Sequence, residues 1–439
     1  SGRPGPVVID LPKDILIAPA PYSAASEQPH RSYRPMTRPD GARIREAVTL
    51  LRQAKRPIVY SGGGVINSGD AASAALIEFV RTTGIPCTST LMGLGAYPSP
   101  DPLFLGMLGM HGTYEANMAM HGSDVMFNIG ARFDDRVTGR LNAFAPDAKK
   151  IHADIDPSSI NKNVAVDVPV VGDAAAVLQA MLAEWTAQGD RDRGQIAAWW
   201  EQIESWRAIE SLKFSQAPAP SSIIKPQYAI QRLYEMTRAT GRDTYISTEV
   251  GQHQMWAAQH FLFDKPNRWM TSGGLGTMGY GLPAAMGVQV AYPDALCIDI
   301  AGEASILMNI QEMATLAQYR LPVKVFILNN QYMGMVRQWQ ELLHGSRYSE
   351  SYSEALPDFV RLAEAFHGKG LRATNVGELD GVIAEMLAHP GPVIADICVD
   401  QKENVFPMIP SGAAHNEMIL GPEHQDRTAS ITNEGMMLV

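Results

Sequence analysis

The sequence predicts an α/β protein with two doubly wound parallel-sheet domains. Short apolar stretches, typical of buried strands, alternate along the chain with amphipathic stretches typical of helices. Many of the apolar stretches end in Gly, Asp or Asn, as strands do where a parallel sheet holds a ligand. A Pro- and Ser-rich segment at residues 217–222 interrupts the alternation. We therefore expect two α/β domains joined by a linker.

The composition of the chain limits its classes of function. Its 439 residues are 46% hydrophobic and 19% charged, which is typical of a soluble protein of two or three domains. A net charge of −10 argues against nucleic acid as a partner, and the lack of a long apolar run argues against a membrane span. Cys87, Cys297 and Cys398 are odd in number and lie in apolar stretches. We therefore expect buried, reduced thiols and a cytoplasmic location.

The first domain, residues 1–186, is predicted to repeat strand and helix units. Its strands are expected at residues 7–10, 57–61, 85–88, 125–129, 150–154 and 168–171. Its helices are expected at residues 42–53, 71–82, 114–120 and 174–185. Gly62, Gly63 and Gly64 follow the second strand, as glycines do in nucleotide sites, but their spacing does not match the dinucleotide fingerprint.

Residues 187–225 are predicted to be a linker that contains one amphipathic helix. We expect its tryptophans (Trp199, Trp200 and Trp206) to pack this helix onto a domain. The second domain is then predicted at residues 226–400. Residues 401–439 form an irregular tail, which we interpret as a lid.

The second domain is predicted to repeat the same units. Its strands are expected at residues 244–247, 295–300, 323–328 and 392–398. Its helices are expected at residues 251–257, 306–317, 357–367 and 379–388. Residues 272–283 hold many glycines, which indicates backbone pressed against a flat or tightly packed surface.

Oxygen-bearing side chains follow two strands of the second domain. Glu303 comes after one strand and Asn330 after the next, and a helical segment joins the two strands. Parallel strands joined in this way end at the same edge of a sheet, where a carboxylate and an amide oxygen suit Mg2+ shared with phosphates. The small residues Gly302, Ala304 and Ser305 let phosphates approach the backbone. The alternative is an ordinary βαβ unit with polar strand ends.

The spacing from Gly302 to Asn330 resembles the signature of thiamine diphosphate (ThDP) enzymes, although that family has Asp where this chain has Glu303. Further stretches resemble the catalytic subunit of acetohydroxyacid (acetolactate) synthases. In the second domain and tail these stretches are residues 251–254, 273–279, 329–336, 338–339 and 407–412. In the first domain, which resembles the family's flavin domain, they are residues 2–6, 109–112 and 132–139.

The resemblance implies a role for each matched residue around ThDP. Mg2+ is bound by Glu303, Asn330 and the main-chain oxygen of Tyr332. The Gly276 carbonyl holds the 4′-amino group of ThDP, and Met278 bends the cofactor by wedging between its rings. The other residues expected around ThDP are Val250, Gly251, Gln252, His253, Gly302, Ala304, Ser305, Met333, Gly334, Met335 and Val336.

The resemblance also implies FAD, which performs no net redox chemistry in this family. Its expected contacts are Arg3, Gly62, Gly63, Gly64, Met110, His111, Arg132, Asp154 and Asp173. Arg136 is expected to bind the carboxylate of the acceptor substrate, and Trp339 to favour the bulkier acceptor. Alternatively, Arg136 is only the ion-pair partner of a neighbouring aspartate, and the histidines are ordinary loop residues.

The implied activity is acetolactate synthesis in branched-chain amino acid biosynthesis. Pyruvate loses CO2, and the remaining two-carbon unit is joined to a second 2-ketoacid, either pyruvate or 2-ketobutyrate. We expect a homodimer or homotetramer and a small regulatory subunit as partner.

Members of this family carry a pyrimidine-binding domain ahead of the flavin domain, and that domain supplies a catalytic Glu. This chain begins at the flavin domain, so we expect it to be inactive alone. Two alternatives stay open. One is another ThDP enzyme, such as a pyruvate oxidase or a different carboligase; the other is a catalytically silent module that binds FAD and ThDP.

Overall fold

The computed structural model describes residues 2–24, 35–189 and 193–427. These residues form two six-stranded sheets, and all strand pairs within each sheet are parallel. The expected α/β class with two doubly wound parallel sheets is therefore confirmed.

The first sheet has the strand order β3-β2-β1-β4-β5-β6. Its strands are β1 (Pro57–Ser61), β2 (Cys87–Ser89), β3 (Phe104–Met107), β4 (Val125–Ile129), β5 (Lys149–Asp154) and β6 (Val168–Val171). After β1 the chain adds β2 and β3 on one side of β1, and it then returns to add β4 on the other side. The ends of β1 and β4 therefore mark the crevice where ligands bind in such sheets.

The second sheet has the order β11-β12-β10-β9-β7-β8. Its strands are β7 (Thr244–Thr248), β8 (Trp269–Met270), β9 (Leu296–Gly302), β10 (Lys324–Asn329), β11 (Lys369–Ala373) and β12 (Val393–Cys398). The strand order reverses between β7 and β9, which places a second crevice at their carboxyl ends.

Helices cover the faces of both sheets. In and beside the first domain they are α1 (Lys13–Ile17), α2 (Gly41–Gln53), α3 (Gly63–Ser68), α4 (Asp70–Thr83), α5 (Tyr114–Gly122), α6 (Asp135–Thr138), α7 (Ala174–Ala187) and α8 (Ala197–Arg207). In the second domain they are α9 (Pro226–Ala239), α10 (Gln252–His260), α11 (Gly281–Ala291), α12 (Glu312–Tyr319), α13 (Gly334–Leu342), α14 (Phe359–Ala365) and α15 (Val376–Ala388).

Two of the predicted elements are wrong. The strand expected at residues 7–10 is extended backbone outside both sheets, and Val8 exposes 91% of its surface. A run of β-forming residues makes a strand only where another strand pairs with it. The helix expected at residues 306–317 is broken, because a short 3-10 turn (Ile306–Met308) precedes α12.

Several elements were not predicted from the sequence. The strands β3, β8 and β11 are short or rich in glycine, so they lack the alternation that marks a strand. The helices α3, α11 and α13 each begin at a glycine, and no helix was expected there from the sequence. The predicted domain boundaries stay predictions. Residues 1, 25–34, 190–192 and 428–439 lie outside the described residues.

The linker helix packs onto the first domain through its tryptophans, as expected. Trp199 Nε1 donates to Pro57 O at 3.1 Å, and Trp200 Nε1 donates to Gly84 O at 2.9 Å. The rings of Trp199 and Trp206 meet edge to face with their centroids 5.5 Å apart.

The three cysteines are free thiols, as expected. Cys87 and Cys297 are buried, whereas Cys398 is half-buried, so its expected full burial is wrong. In the part of the chain that the structure describes, every helix falls short of the length and apolarity needed to cross a bilayer.

One apolar cluster runs without a break from the first domain into the second. It includes Leu94 and Ala96 on one side and Phe261 and Phe263 on the other. At the same junction Trp269 Nε1 donates to Leu91 O at 3.0 Å. The cluster fixes the two sheets relative to each other, which the site described below requires.

Candidate functional site

The carboxyl ends of both sheets open into one cavity of about 1410 Å3. The cavity reaches Gly63 at the start of α3 and Glu303 just after β9. Ligands of open α/β sheets bind at this edge, so the cavity is the candidate cofactor site. Every predicted site residue except Gly62 lines it: Arg3, Gly63, Gly64, Met110, His111, Arg132, Arg136, Asp154, Asp173, Val250, Gly251, Gln252, His253, Gly276, Met278, Gly302, Glu303, Ala304, Ser305, Asn330, Tyr332, Met333, Gly334, Met335, Val336 and Trp339.

Gly62 serves the packing behind the cavity wall. A Cβ at Gly62 would lie 2.4 Å from Gly130 O, and a Cβ at Gly64 would lie 2.6 Å from Gly130 Cα. The strands β1 and β4 pair along their whole length, so the segments that follow them touch backbone to backbone. Only glycine permits that approach.

Glu303 is a buried carboxyl group with an unused oxygen. It is 1% exposed, and its Oε1 has no hydrogen-bond partner among the described residues. Burial raises the pKa of Glu303 to about 8, while hydrogen bonds from the backbones of Asn330 and Tyr332 act in the opposite direction. The three predicted metal ligands therefore meet at the carboxyl ends of β9 and β10.

The side-chain amide of Asn330 is oriented by a residue of α10. Asn330 Nδ2 donates to Gln252 Oε1 at 3.1 Å, and Asn330 Oδ1 accepts from Tyr332 N at 3.1 Å. A Cβ at Gly334 would lie 2.0 Å from Gln252 Oε1, so glycine is needed there. Asn330 Oδ1 accepts this one hydrogen bond and keeps one lone pair for a cation.

This donor set fits Mg2+. A carboxylate, an amide oxygen and a main-chain carbonyl are hard oxygen ligands, and Mg2+ takes its remaining ligands from phosphates and water. Within residues 2–24, 35–189 and 193–427, no group of three or more His, Cys, Asp or Glu side chains forms a metal site of another kind. A buried carboxyl group with a free oxygen gains from a cation beside it.

His253 lies between two glycines beside this group. A Cβ at Gly251 would lie 2.7 Å from His253 Cε1, and a Cβ at Gly302 would lie 2.7 Å from His253 Nδ1. Burial lowers the pKa of His253 to about 3, so its ring is neutral. We therefore interpret His253 as a neighbour of the cofactor and not as an acid or base.

The glycine-rich loop forms the outer wall of the cavity. Gly276 has φ +80°, and Leu275 beside it exposes 92% of its surface. At the start of the loop a Cβ at Gly273 would lie 2.5 Å from Met92 Sδ, so the loop touches the first domain. The close backbone contact expected for these glycines is confirmed at Gly273.

Asp154 and Asp173 are two of the carboxyl groups that the first domain contributes to the cavity. Asp154 is 8% exposed, and burial raises its pKa. Asp173 caps α7, because its Oδ1 accepts from Ala175 N at 3.0 Å and from Ser68 Oγ at 2.9 Å. Asp173 therefore has a structural role in addition to its place on the cavity wall.

These groups fit a flavin dinucleotide. Arg3 and Arg132 expose 43% and 42% of their side chains at the cavity, where they can meet phosphates. Asp154 offers oxygens to ribose hydroxyls, and Gly63 and Gly64 leave the backbone open at the end of β1.

The predicted substrate-binding residues lie at the open part of the cavity. Arg136 exposes 63% of its side chain, and its Nη1 lies 3.1 Å from Asp135 Oδ2. It therefore lines the cavity and also pairs with its neighbour. Trp339 is half-buried, and its Nε1 has no hydrogen-bond partner within the described chain.

His111 connects the cavity to the tail. It is 5% exposed, and its Nδ1 donates to Pro407 O at 3.0 Å. Burial lowers its pKa to about 4, so the ring is neutral. Ile409 N donates to Met110 O at 2.8 Å, which fastens the tail to the same loop.

Three polar residues behind the cavity wall were not singled out as site residues from the sequence. Glu249 and Asp299 are fully buried, and Asn309 contacts the glycine-rich loop. Asp299 had a recognisable signal, because an ionisable residue inside an apolar strand is rarely accidental. Asn309 had no such signal in the sequence, since its contact with the glycine-rich loop forms only in the folded chain.

Comparisons with known proteins agree with this geometry. Residues 44–181 match the family "Thiamine pyrophosphate enzyme, central domain", and residues 249–397 match "Thiamine pyrophosphate enzyme, C-terminal TPP binding domain". The chain is 48% identical to acetolactate synthase isozyme 3 large subunit of Escherichia coli, over 96% of this chain and 73% of that protein.

Two other relatives carry the same name. The acetolactate synthase large subunit of Haemophilus influenzae is 44% identical over 97% of this chain and 74% of its own length. Acetolactate synthase 1, chloroplastic, of Zea mays is 43% identical over 96% of this chain and 66% of its own length. The chain belongs to the acetolactate synthase large-subunit family of thiamine pyrophosphate enzymes.

Proposed function

We propose that this protein is the catalytic chain of an acetolactate synthase. It decarboxylates pyruvate and joins the remaining two-carbon unit to pyruvate or 2-ketobutyrate. The observation that carries the proposal is the single cavity lined by residues of both sheets, in a chain 44–48% identical to bacterial acetolactate synthase large subunits. These relatives give no support to the pyruvate oxidase or silent-module alternatives.

Bound thiamine diphosphate supplies the electron sink for decarboxylation and for carbon–carbon bond formation. Glu303, Asn330 and the Tyr332 carbonyl would hold Mg2+, and through it the diphosphate of this cofactor. The segments Val250 to His253 and Met333 to Val336 surround the cofactor. The buried wall around Glu303 keeps water from the metal and strengthens its charge interactions.

The remaining residues orient the reactants. The Gly276 carbonyl would accept a hydrogen bond from the amino group of the pyrimidine, and Met278 would pack against the rings. Arg136 binds the carboxylate of the acceptor, which its exposure at the cavity allows. Trp339 contacts the side chain of the larger acceptor.

The residues that would hold FAD lie along the ends of the strands of the first sheet. Arg3 and Arg132 bind its phosphates, Asp154 its ribose, and Gly63 and Gly64 allow close approach. No net redox chemistry passes through it. The protein acts in the cytoplasm as a homodimer or homotetramer and binds a small regulatory subunit, as the term "large subunit" in the names of relatives suggests.

The test is product formation from pyruvate by the complete enzyme, with ThDP, Mg2+ and FAD present. Acetolactate, or its 2-ketobutyrate homologue when that acceptor is added, supports the proposal. An acetate-level product formed with reduction of the flavin would identify an oxidase instead.

A further inference from the structure

The backbone of Gly279 is held from both sides, by the buried side chain of Glu249 and the half-buried side chain of Asn309. Its N–H donates to Glu249 Oε2, and its carbonyl accepts from Asn309 Nδ2 at 2.6 Å. Glu249 also accepts from Leu282 N at 3.2 Å, in the first turn of α11. Gly279 has φ +88°, and a Cβ there would lie 2.8 Å from Met308 Cβ, so the position requires glycine.

A second buried carboxyl group, that of Asp299, lies next to Glu249 and to the start of α11. Asp299 on β9 is fully buried, accepts from Ser247 Oγ at 3.3 Å, and influences the ionisation of Glu249. Its Oδ1 would lie 2.1 Å from a Cβ at Gly281. Burial raises the pKa of both carboxyl groups, and their mutual repulsion raises that of Asp299 further. The start of α11 therefore rests directly on the two acids.

Neither Glu249 nor Asn309 lines the cavity, whereas Met278 and Tyr280 on either side of Gly279 do. Glu249 also directly precedes Val250, on the diphosphate side of the site. Glu249 and Asn309 thus form a clamp on the backbone of Gly279. This clamp connects Val250, on the diphosphate side of the site, with Met278, on the ring side.

We propose that Glu249 and Asn309 are positioning residues that set where Met278 stands against the cofactor rings. The inference rests on the proposed function, which assigns Met278 to the ring side. The clamp restrains the backbone that follows Met278. Loss of the clamp therefore lets Met278 move, while the residues that meet the diphosphate stay in place. Ring recognition should then weaken and diphosphate recognition should not.

The experiment compares two ligands in calorimetric titrations of the purified protein with Mg2+. Thiamine diphosphate has rings and inorganic pyrophosphate has none. The variants Glu249→Leu and Asn309→Asp are similar in size to the native residues, and each removes one side of the clamp: leucine cannot accept from Gly279 N, and aspartate cannot donate to Gly279 O. The control is Glu115→Gln, which neutralises a partly buried carboxyl group of the first domain away from the cavity.

We expect each clamp variant to weaken thiamine diphosphate binding roughly tenfold or more, because a hydrogen bond to a buried group is lost. Pyrophosphate binding and the control should be unchanged. Equal loss for both ligands, or no loss for thiamine diphosphate, would overturn the proposal. If Glu249→Leu does not fold, Asn309→Asp decides alone. Wild-type protein that binds pyrophosphate but not thiamine diphosphate would refute the proposed function itself.

Discussion

At the scale of single residues, the metal group departs from its family at one position. Glu303 is longer than Asp by one methylene, and Mg2+ needs near-octahedral geometry at about 2.0–2.1 Å. Because Glu303 is 1% exposed, its carboxyl group has little room to adjust. We expect Glu303→Asp to tighten Mg2+-dependent thiamine diphosphate binding, measured by titration. Unchanged or weaker binding would show that the surrounding loop has adapted to Glu.

The two interpretations of Arg136 make different predictions. If Arg136 binds the acceptor carboxylate, Arg136→Ala should slow the acceptor step roughly ten- to hundredfold, because a charged hydrogen bond is lost. The first decarboxylation should be much less affected. Asp135→Asn removes only the ion pair and serves as control. Equal slowing of both half-reactions, or the same effect from the control, would assign Arg136 to structure.

Glu115 gives a prediction for stability against pH. Burial raises the pKa of this carboxyl group from 4.5 to about 7. As pH rises above 4.5, the unfolded chain loses the proton first, so the contribution of Glu115 to folding falls between about pH 4.5 and 7. Glu115→Gln should therefore raise the free energy of unfolding at pH 8 by about 1–3 kcal/mol and leave it unchanged at pH 4.

Thermal or denaturant unfolding at the two pH values provides the measurement. The exposed residue Glu354 offers a control, since Glu354→Gln should not change stability with pH in this way. An equal effect of Glu115→Gln at pH 4 and pH 8 would contradict the prediction.

At the scale of elements, the sequence predicted most of the framework of each sheet. Strands β1, β4 and β6 have the expected bounds. β1 and β4 are central strands of a parallel sheet, which are continuously apolar, and β6 is an edge strand whose four residues include three valines. The metal group was predictable for a similar reason, since strands joined by a crossover end at one edge. The edge strands β3 and β11 carry no comparable pattern, because their pairing depends on partners distant in sequence.

The tail was expected to be a lid, and its described part is tied to the metal group through side-chain amides. Gln252 Nε2 donates to Gln338 Oε1 at 2.9 Å, and the same oxygen accepts from Val405 N at 2.8 Å. Gln252 in turn contacts Asn330. The sequence could not show this chain of contacts, because glutamine carries no pattern that predicts its partner.

We expect Gln338→Leu to release residues 403–408 locally, since it leaves the Val405 N–H and the Gln252 amide without their acceptor. The local stability should fall by about 1–3 kcal/mol. Faster hydrogen exchange of residues 403–408 would measure the loss. Gln340→Leu is the control, because the side chain of Gln340 accepts a hydrogen bond from Ser351 and not from the tail. Unchanged exchange in Gln338→Leu would show that apolar packing alone holds the tail.

At the scale of the whole molecule, one cavity contains both the proposed FAD residues and the proposed thiamine diphosphate residues. Because no net redox chemistry is proposed for FAD, the purified protein should be yellow, and its visible spectrum should not bleach when pyruvate is added. A chemical reductant should bleach it, which controls for access to the flavin. Stoichiometric bleaching by pyruvate would contradict the proposal and favour an oxidase.

The apolar cluster that crosses from Leu94 to Phe261 also ties the two sheets together thermodynamically. Separating them would expose apolar surface on both, at a cost of about 25 cal/mol for each Å2. Partly unfolded states with one sheet intact are therefore disfavoured, and the two domains lose structure together. A ligand that binds beside one sheet therefore also stabilises the other sheet. Binding in either half of the cavity protects the entire fold from unfolding and proteolysis.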